Sequence, residues 1–217
     1  RPWTRWLIRR FALAYRPDMS EAVLGDPEAY PSFNAFFTRP LREGARKWDA
    51  DPAAVCSPVD GIVSHTGVAD RDRLIQAKGL GYRMAELIGD EDWAGRFHGG
   101  AFATLYLSPS DYHRVHMPVD GELAATNFLP GRLFSVAPFT VRGIPRLFCR
   151  NERLVCLFDT PAGPMAQVLV GAMLVAGIGT VWHGPYGHPR RRYPQSFGPG
   201  QVTLARGEEM GRFNMGS

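Results

Sequence analysis

The hydrophobic pattern changes its period near residue 50. In Arg1-Pro2-Trp3-Thr4-Arg5-Trp6-Leu7-Ile8-Arg9-Arg10-Phe11, Trp3, Leu7 and Phe11 recur at helical spacing, Arg5 and Arg9 fall on another stripe, and no acid appears before Asp18. This predicts an amphipathic helix with a basic side. Ser32 ahead of Phe33-Asn34-Ala35-Phe36-Phe37 predicts an N-capped aromatic helix that Pro40 ends. Residues 1–48 therefore read as a helical segment, with the charged run 42–51 as its boundary. From Val55 onward, short apolar or alternating runs predict strands over 61–66, 101–107, 121–128, 153–159, 165–176, 179–183 and 201–205, with Gly or Pro at nearly every junction. Residues 84–90 predict one short helix. The expected fold is α+β: a helical segment over 1–48, then a β-rich barrel or sandwich-like domain over 49–217.

Within the β-rich region, Asp111-Tyr112-His113-Arg114-Val115-His116-Met117-Pro118 holds two of the six histidines, three residues apart. Ser108-Pro109 precedes it and Pro118 and Asp120-Gly121 close it, so it is expected as a short, bounded connection between strands, where functional groups concentrate. Three readings of the pair stand side by side. One imidazole is a base near neutral pH and the other an acid or substrate contact. Alternatively both hold a metal, although no convincing third ligand lies nearby. The third reading is a pair of satisfied structural histidines. The Pro-Val-Asp-Gly of Ser57-Pro58-Val59-Asp60-Gly61 recurs in Met117-Pro118-Val119-Asp120-Gly121, which admits a pseudo-repeat of two half-barrels; either aspartate also serves as a turn residue before glycine.

Composition narrows the picture. At 217 residues the chain suits one domain with a helical appendage, and 45% hydrophobic residues can fill a real core. Three cysteines, Cys56, Cys149 and Cys156, are an odd count without metal-ligand spacing; a disulfide framework is not expected and a reducing compartment is favoured. No apolar run approaches the ~20 residues of a membrane span. The chain begins at Arg1 rather than Met, which leaves room for a signal peptide or further N-terminal residues ahead of it. Net charge of +4 gives a mild attraction to anions, lipid or nucleic acid. The basic, Trp-bearing first helix suits a lipid interface, and it equally suits packing on its own domain. The loop 184–194 carries Arg190-Arg191-Arg192, which fits either a phosphate grip or a solvated surface.

Taken in order, several motifs carry a resemblance: Phe33-Asn34-x-Phe36-Phe37-x-Arg39-Pro40-Leu41, Ser57-Pro58-Val59-Asp60-Gly61, Ala77-Lys78-Gly79 and Asp111-Tyr112-His113-Arg114-Val115-His116-Met117-Pro118. They continue through Leu133-Phe134-Ser135-Val136, Asn151-Glu152-Arg153, Val170-Gly171-Ala172-Met173 and Gly207-Glu208-Glu209-Met210-Gly211. Spanning 33–217, they resemble the large chain of the bacterial, pyruvoyl-dependent phosphatidylserine decarboxylases. The resemblance implies self-cleavage at Gly216-Ser217, with Ser217 becoming the pyruvoyl group of a small chain. It implies Asp60, His116 and Ser217 as the charge-relay set for that cut: His116 takes the hydroxyl proton and Asp60 holds the imidazole. Gly216, lacking Cβ, suits a strained turn at the scissile bond.

The same resemblance implies that the pyruvoyl ketone forms a Schiff base with the serine amine of the lipid and accepts electrons as CO2 leaves. His113 then contacts the substrate carboxylate or donates a proton, and Phe134, Ser135 and Val136 line the headgroup pocket. No metal and no PLP are expected. The implied partners are phosphatidylserine, an anionic membrane surface and the small chain from the same precursor; a homodimer is admitted and nucleic acid is not. The expected location is peripheral, on the cytoplasmic face of the bacterial membrane. The family pattern continues past this serine with Thr and an apolar strand, so the mature large chain is expected to end at Gly216. Two other classes stay open: a peripheral lipid-binding protein with an inactive site, and a pyruvoyl decarboxylase of a soluble amino acid.

Overall fold

Prolines cut the N-terminal segment shorter than its pattern suggests. The computed structural model of the protein describes residues 2–69, 72–77, 80–175 and 177–215. Helix α1 (Pro2–Tyr15) stops ahead of Pro17; a single 3-10 turn (Pro27–Ala29) and α2 (Phe33–Phe37) follow, with irregular chain between them. The helical reading of 1–48 is corrected accordingly: Pro17, Pro27, Pro31 and Pro40 interrupt helical hydrogen bonding. The cap of α2 forms as its sequence predicts, with Ser32 Oγ accepting the Ala35 N–H at 3.0 Å.

The apolar stripe on α1 also divides. Ile8 is fully buried with Tyr30 and Phe36, and Phe11 packs edge-on against Phe33 and Phe36 at 5.2 and 5.9 Å. Trp3 is 73% exposed, and Trp6 and Leu7 also face outward. The aromatic side of α2 captures the lower half of the stripe and leaves the tryptophans free. Among the described residues no helix is long and apolar enough to cross a membrane.

After residue 60 the elements run β1 (Ile62–Val68), β2 (Arg73–Ala77), β3 (Leu80–Arg83), α3 (Met84–Ile88), α4 (Glu91–Gly95), β4 (Ala101–Tyr106), β5 (Arg114–His116) and β6 (Gly121–Leu129). They continue as α5 (Pro138–Gly143), α6 (Leu147–Arg150), β7 (Arg153–Thr160), β8 (Gly163–Val170), β9 (Gly177–Thr180), β10 (Gly184–Pro185), β11 (Tyr193–Ser196), β12 (Thr203–Leu204) and β13 (Glu209–Asn214). The chain is α+β. Its described strands form four sheets: β1-β4, β2-β3, β10-β9-β13-β5, and β11-β6-β7-β8 with β12 also on β6; none of them closes on itself.

Both faces of β7 are buried. Leu154, Cys156 and Phe158 join Val115, Met117, Ile178 and Met210 on one side, while Val155 and Leu157 meet Leu74, Tyr82, Met84 and Ile88 on the other. Each large apolar side chain buried this way contributes roughly 1.5–3 kcal/mol.

Four expectations shift, the first being the run 179–183, which is strand only to Thr180. The run 165–176 is strand only to Val170, because a tight turn closes Ala172 onto Val175 through paired hydrogen bonds of 2.9 Å; Ala176 lies outside the described residues. The run 201–205 is strand only at Thr203–Leu204. The histidine stretch, expected as a connection, carries β5, because β13 pairs with it antiparallel. The two Pro-Val-Asp-Gly segments meet: Cys56 N–H donates to the Pro118 carbonyl at 3.0 Å and His116 N–H to the Pro58 carbonyl at 2.8 Å.

Candidate active site

Strand β13 delivers the chain toward the histidines. It lies between β9 and β5, with Glu209 opposite His116 and Arg212 opposite Arg114, and the Phe213 N–H donates to the His113 carbonyl at 2.9 Å. Gly211 permits this central position, since a Cβ there would stand 2.5 Å from the Gly179 carbonyl oxygen. The N-terminal segment is stitched to the same place. Asn34 Nδ2 donates to Asn214 Oδ1 at 3.0 Å, the Met215 N–H to Asn34 Oδ1 at 2.9 Å, and Arg114 Nε to the Thr38 carbonyl at 2.9 Å. Gly216 and Ser217 lie outside the described residues, as do Lys78 and Gly79 of the Ala77-Lys78-Gly79 motif and Arg1 of the first helix.

The two imidazoles have different surroundings. His113 is 1% exposed and lies over the Phe37 ring at 4.0 Å. Its Nδ1 faces the Asp111 carbonyl at 2.8 Å, an acceptor, so Nδ1 carries the proton and Nε2 offers a lone pair. That Nε2 is buried without a hydrogen-bond partner. Burial pushes the His113 pKa down to about 4, the Arg39 charge also lowering it, against a smaller upward effect of the Asp111 hydrogen bond. His113 is therefore a neutral imidazole at physiological pH. It borders a cavity of about 1050 Å³ whose walls are mostly apolar and include Val115, Val136, Leu169 and Phe213.

His116 stands between two aromatic rings, Tyr112 and Trp48, each with its centroid 5.7 Å away. Its Nδ1 donates to the Gly207 carbonyl at 2.7 Å, and Tyr112 Oη donates to Nε2 at 3.1 Å. Burial raises the Tyr112 phenol to about 12, so it stays a donor. Gly207 sits at φ +86, where glycine is favoured, and a Cβ would overlap the Trp48 indole.

Among the described contacts Asp60 pairs with Arg46, whose guanidinium also reaches Glu21 at 2.7 Å, and the Gly207 carbonyl occupies His116 Nδ1. Asp120 accepts the Arg206 N–H at 2.7 Å, a turn role. Val136 lines the cavity; Ser135 Oγ accepts the Ala137 N–H at 3.3 Å; the Phe134 ring lies beneath Arg150 at 4.8 Å. In the loop 184–194, His188 pairs with Glu152 at 3.0 Å and Arg192 donates to the Gly89 carbonyl at 2.9 Å. The two histidine rings turn to separate partners, and among the described residues no three His, Cys, Asp or Glu side chains converge as a metal site.

Tyr112, Trp48, Phe37 and the Gly207 carbonyl were not assigned roles from sequence. Tyr112, Phe37 and Gly207 each stand within a motif, whereas Trp48, in the charged run 42–51, carried no signal.

His113, a buried imidazole whose Nε2 has no hydrogen-bond partner, borders a mostly apolar cavity, and the Nδ1 of His116 is held by the Gly207 carbonyl. Comparison with known proteins identifies the family. A family model described as Phosphatidylserine decarboxylase matches residues 33–217. A protein of Alkalilimnicola ehrlichii named "Phosphatidylserine decarboxylase proenzyme" is 55% identical over 221 residues, covering 100% of this chain and 77% of its own. Proteins of the same name from Sodalis glossinidius and Xanthomonas campestris pv. campestris are 52% and 55% identical, covering 99% and 98% of this chain and 75% and 76% of theirs. The chain belongs to the phosphatidylserine decarboxylase family, a family of carboxy-lyases.

Proposed function

We propose that the protein converts phosphatidylserine to phosphatidylethanolamine and CO2, after cutting itself at Gly216-Ser217 so that Ser217 becomes a pyruvoyl group. The observation that carries this reading is the unpartnered Nε2 of His113, a residue that borders the apolar cavity beside the path of β13. The Phe213 N–H donates to the His113 carbonyl, so β13 runs beside this histidine. An apolar cavity suits an acyl-bearing substrate, and an unpartnered acceptor suits a group that arrives with a proton.

His116 is the base of the cleavage step. The Gly207 carbonyl keeps its proton on Nδ1, leaving the Nε2 lone pair for a serine hydroxyl that takes the place of Tyr112. Asp60 is the acid of the set. Its charge bears on Tyr112, whose phenol burial chiefly raises, and Arg46 fixes its carboxylate. The pyruvoyl group, once formed, supplies a carbonyl that accepts the electrons left when CO2 departs. His113, neutral with Nε2 open, takes a proton from the substrate ammonium and returns one to the carbon that lost CO2. Of its two expected roles, carboxylate contact and proton donation, a neutral acceptor in the resting site favours proton handling. Phe134, Ser135 and Val136 line the headgroup end.

No metal and no PLP enter the reading. Residues 1–48 are the membrane-associating segment, with Trp3, Trp6 and Leu7 outward, and 49–217 the catalytic domain. Completion of the β-rich domain toward a barrel or sandwich, a small chain from the same precursor, a homodimer and residence on the cytoplasmic face of the membrane belong to the same reading.

Trapping tests it. Full-length processed protein, incubated with phosphatidylserine and cyanoborohydride, should yield a covalent adduct on the small chain and lose activity. An uncut chain that binds the lipid without forming an adduct would instead make this a lipid-binding protein.

A further inference from the structure

The Phe134 loop is stapled by one side-chain amide. Asn151, fully buried, accepts the Phe134 N–H on Oδ1 at 3.0 Å, and its Nδ2 donates to the Phe134 and Gly171 carbonyls, each at 2.8 Å. The backbone reinforces it: Arg132 N–H donates to the Arg150 carbonyl at 2.8 Å and Glu152 N–H to the Arg132 carbonyl at 2.9 Å. Gly131 lies so close that a Cβ there would stand 2.5 Å from the Asn151 carbonyl carbon. An amide that satisfies both backbone groups of one residue holds it as a neighbouring strand would.

On this fixed ring lies the Arg150 guanidinium, 4.8 Å from the centroid. Arg150 is exposed, and among the described residues it pairs with no carboxylate. Of the arginines nearby, Arg146 binds Glu86 at 2.9 Å and buried Arg153 donates to the carbonyls of Glu86, Leu87, Cys149 and Asn151, while Arg132 and Arg142 are exposed and rest on no aromatic ring among the described contacts. A guanidinium stacked on an aromatic face keeps its in-plane N–H edge open, and that edge matches two oxygens of a phosphodiester.

We propose that Arg150, carried on the Phe134 ring, grips the phosphodiester of the lipid headgroup and so sets recognition of substrate. The contact rests on the proposed decarboxylation of phosphatidylserine: Val136, two residues from Phe134, and Phe148, two residues from Arg150, line the cavity, which puts the guanidinium near its edge. Lysine in its place keeps the charge and loses both the stack and the two-pronged geometry.

The full-length, self-processed enzyme, assayed on phosphatidylserine in neutral-detergent mixed micelles, tests it. Arg150→Ala should raise KM about tenfold, as loss of a charge-assisted contact does, with kcat within about twofold. Arg150→Lys should recover only part of the loss, and competitive inhibition by glycerol 3-phosphate should weaken in step with KM. Arg150→Gln, which keeps length and donors and loses the charge, should reproduce the pattern should Arg150→Ala fail to fold. Sedimentation with phosphatidylglycerol vesicles should match wild type. Unchanged KM and inhibition in an active enzyme would overturn the contact alone. A KM rise matched by lost sedimentation would assign Arg150 to the membrane surface and overturn it too, while a wild type that converts no lipid removes the decarboxylation reading and this contact with it.

Discussion

Burial of His113 should make the fold sensitive to acid in a definite window. The imidazole has its pKa lowered from 6.5 to about 4 in the folded protein. A group depressed on folding leaves the unfolded chain to take up the proton first as pH falls. Stability is thus full above about pH 6.5 and is lost progressively toward pH 4. At about pH 4.5 nearly every unfolded chain would carry the proton, against about a quarter of folded ones. The difference is worth about 2.5 kcal/mol relative to neutral pH. Urea unfolding of an uncut Ser217→Ala precursor at about pH 7 and about pH 4.5 measures it, with the same chain carrying His113→Asn as reference. Asparagine retains a donor for the Asp111 carbonyl and does not titrate, so all other acid effects cancel between the two chains. The histidine chain should lose about 2.5 kcal/mol more. Equal losses would mean that the ring is solvated in the folded state and that its neutral form has no structural origin.

Further outcomes follow from individual contacts. His116→Ala and Asp60→Ala should slow self-cleavage of the full precursor by at least about 100-fold, read by gel, whereas Asp120→Ala should cut normally; the reverse pattern for the aspartates would put the acid in the second Pro-Val-Asp-Gly segment. Gly207→Ala should destabilise by about 1–3 kcal/mol in thermal unfolding and slow cleavage, since its φ of +86 and the Trp48 ring both oppose a Cβ beside the carbonyl that holds His116. The triple change Trp3→Ser, Trp6→Ser, Leu7→Ser should reduce sedimentation with anionic vesicles and leave the core intact, because Ile8 and Phe11 supply the internal packing; unchanged sedimentation would assign α1 to the protein alone. His113→Ala should still self-cleave at least in part and lose 100-fold or more in decarboxylation as a proton-handling residue, measured by product formation on cleaved enzyme.

Local signals were legible and long-range ones were not. Ser32 announces α2 because its hydroxyl caps a backbone N–H three residues away. The unbroken apolar run of β7 announces a strand buried on both faces, as it is. Strands β5 and β13 carry Arg114, Glu209 and Arg212 at strand positions, and long-range pairing makes them strands, β5 with β13 and β13 also with β9; Arg114 binds Glu209 at 2.7 Å across the first pairing. The candidate site divides the same way. The spacing of His113 and His116 marked the place, but Phe37, Trp48 and Gly207, which fix their environments, lie far off in sequence. Asp60 was singled out by its motif, while its partner Arg46 stood in a charged run that read as a boundary. The first helix mixes both cases: its periodicity was plain, and the division of its apolar face depended on aromatic partners supplied by α2.

Self-processing coupled to loss of the serine carboxyl is the central claim, and one experiment reaches both halves. The full-length protein with its natural C-terminal continuation is purified, its chains are weighed intact, and it is given carboxyl-labelled phosphatidylserine in mixed micelles. The account predicts a large chain ending at Gly216, a small chain with the mass of a pyruvoyl start in place of serine, and labelled CO2 in step with phosphatidylethanolamine. A fully cut protein that leaves phosphatidylserine unchanged, or an uncut protein that releases CO2, would contradict it.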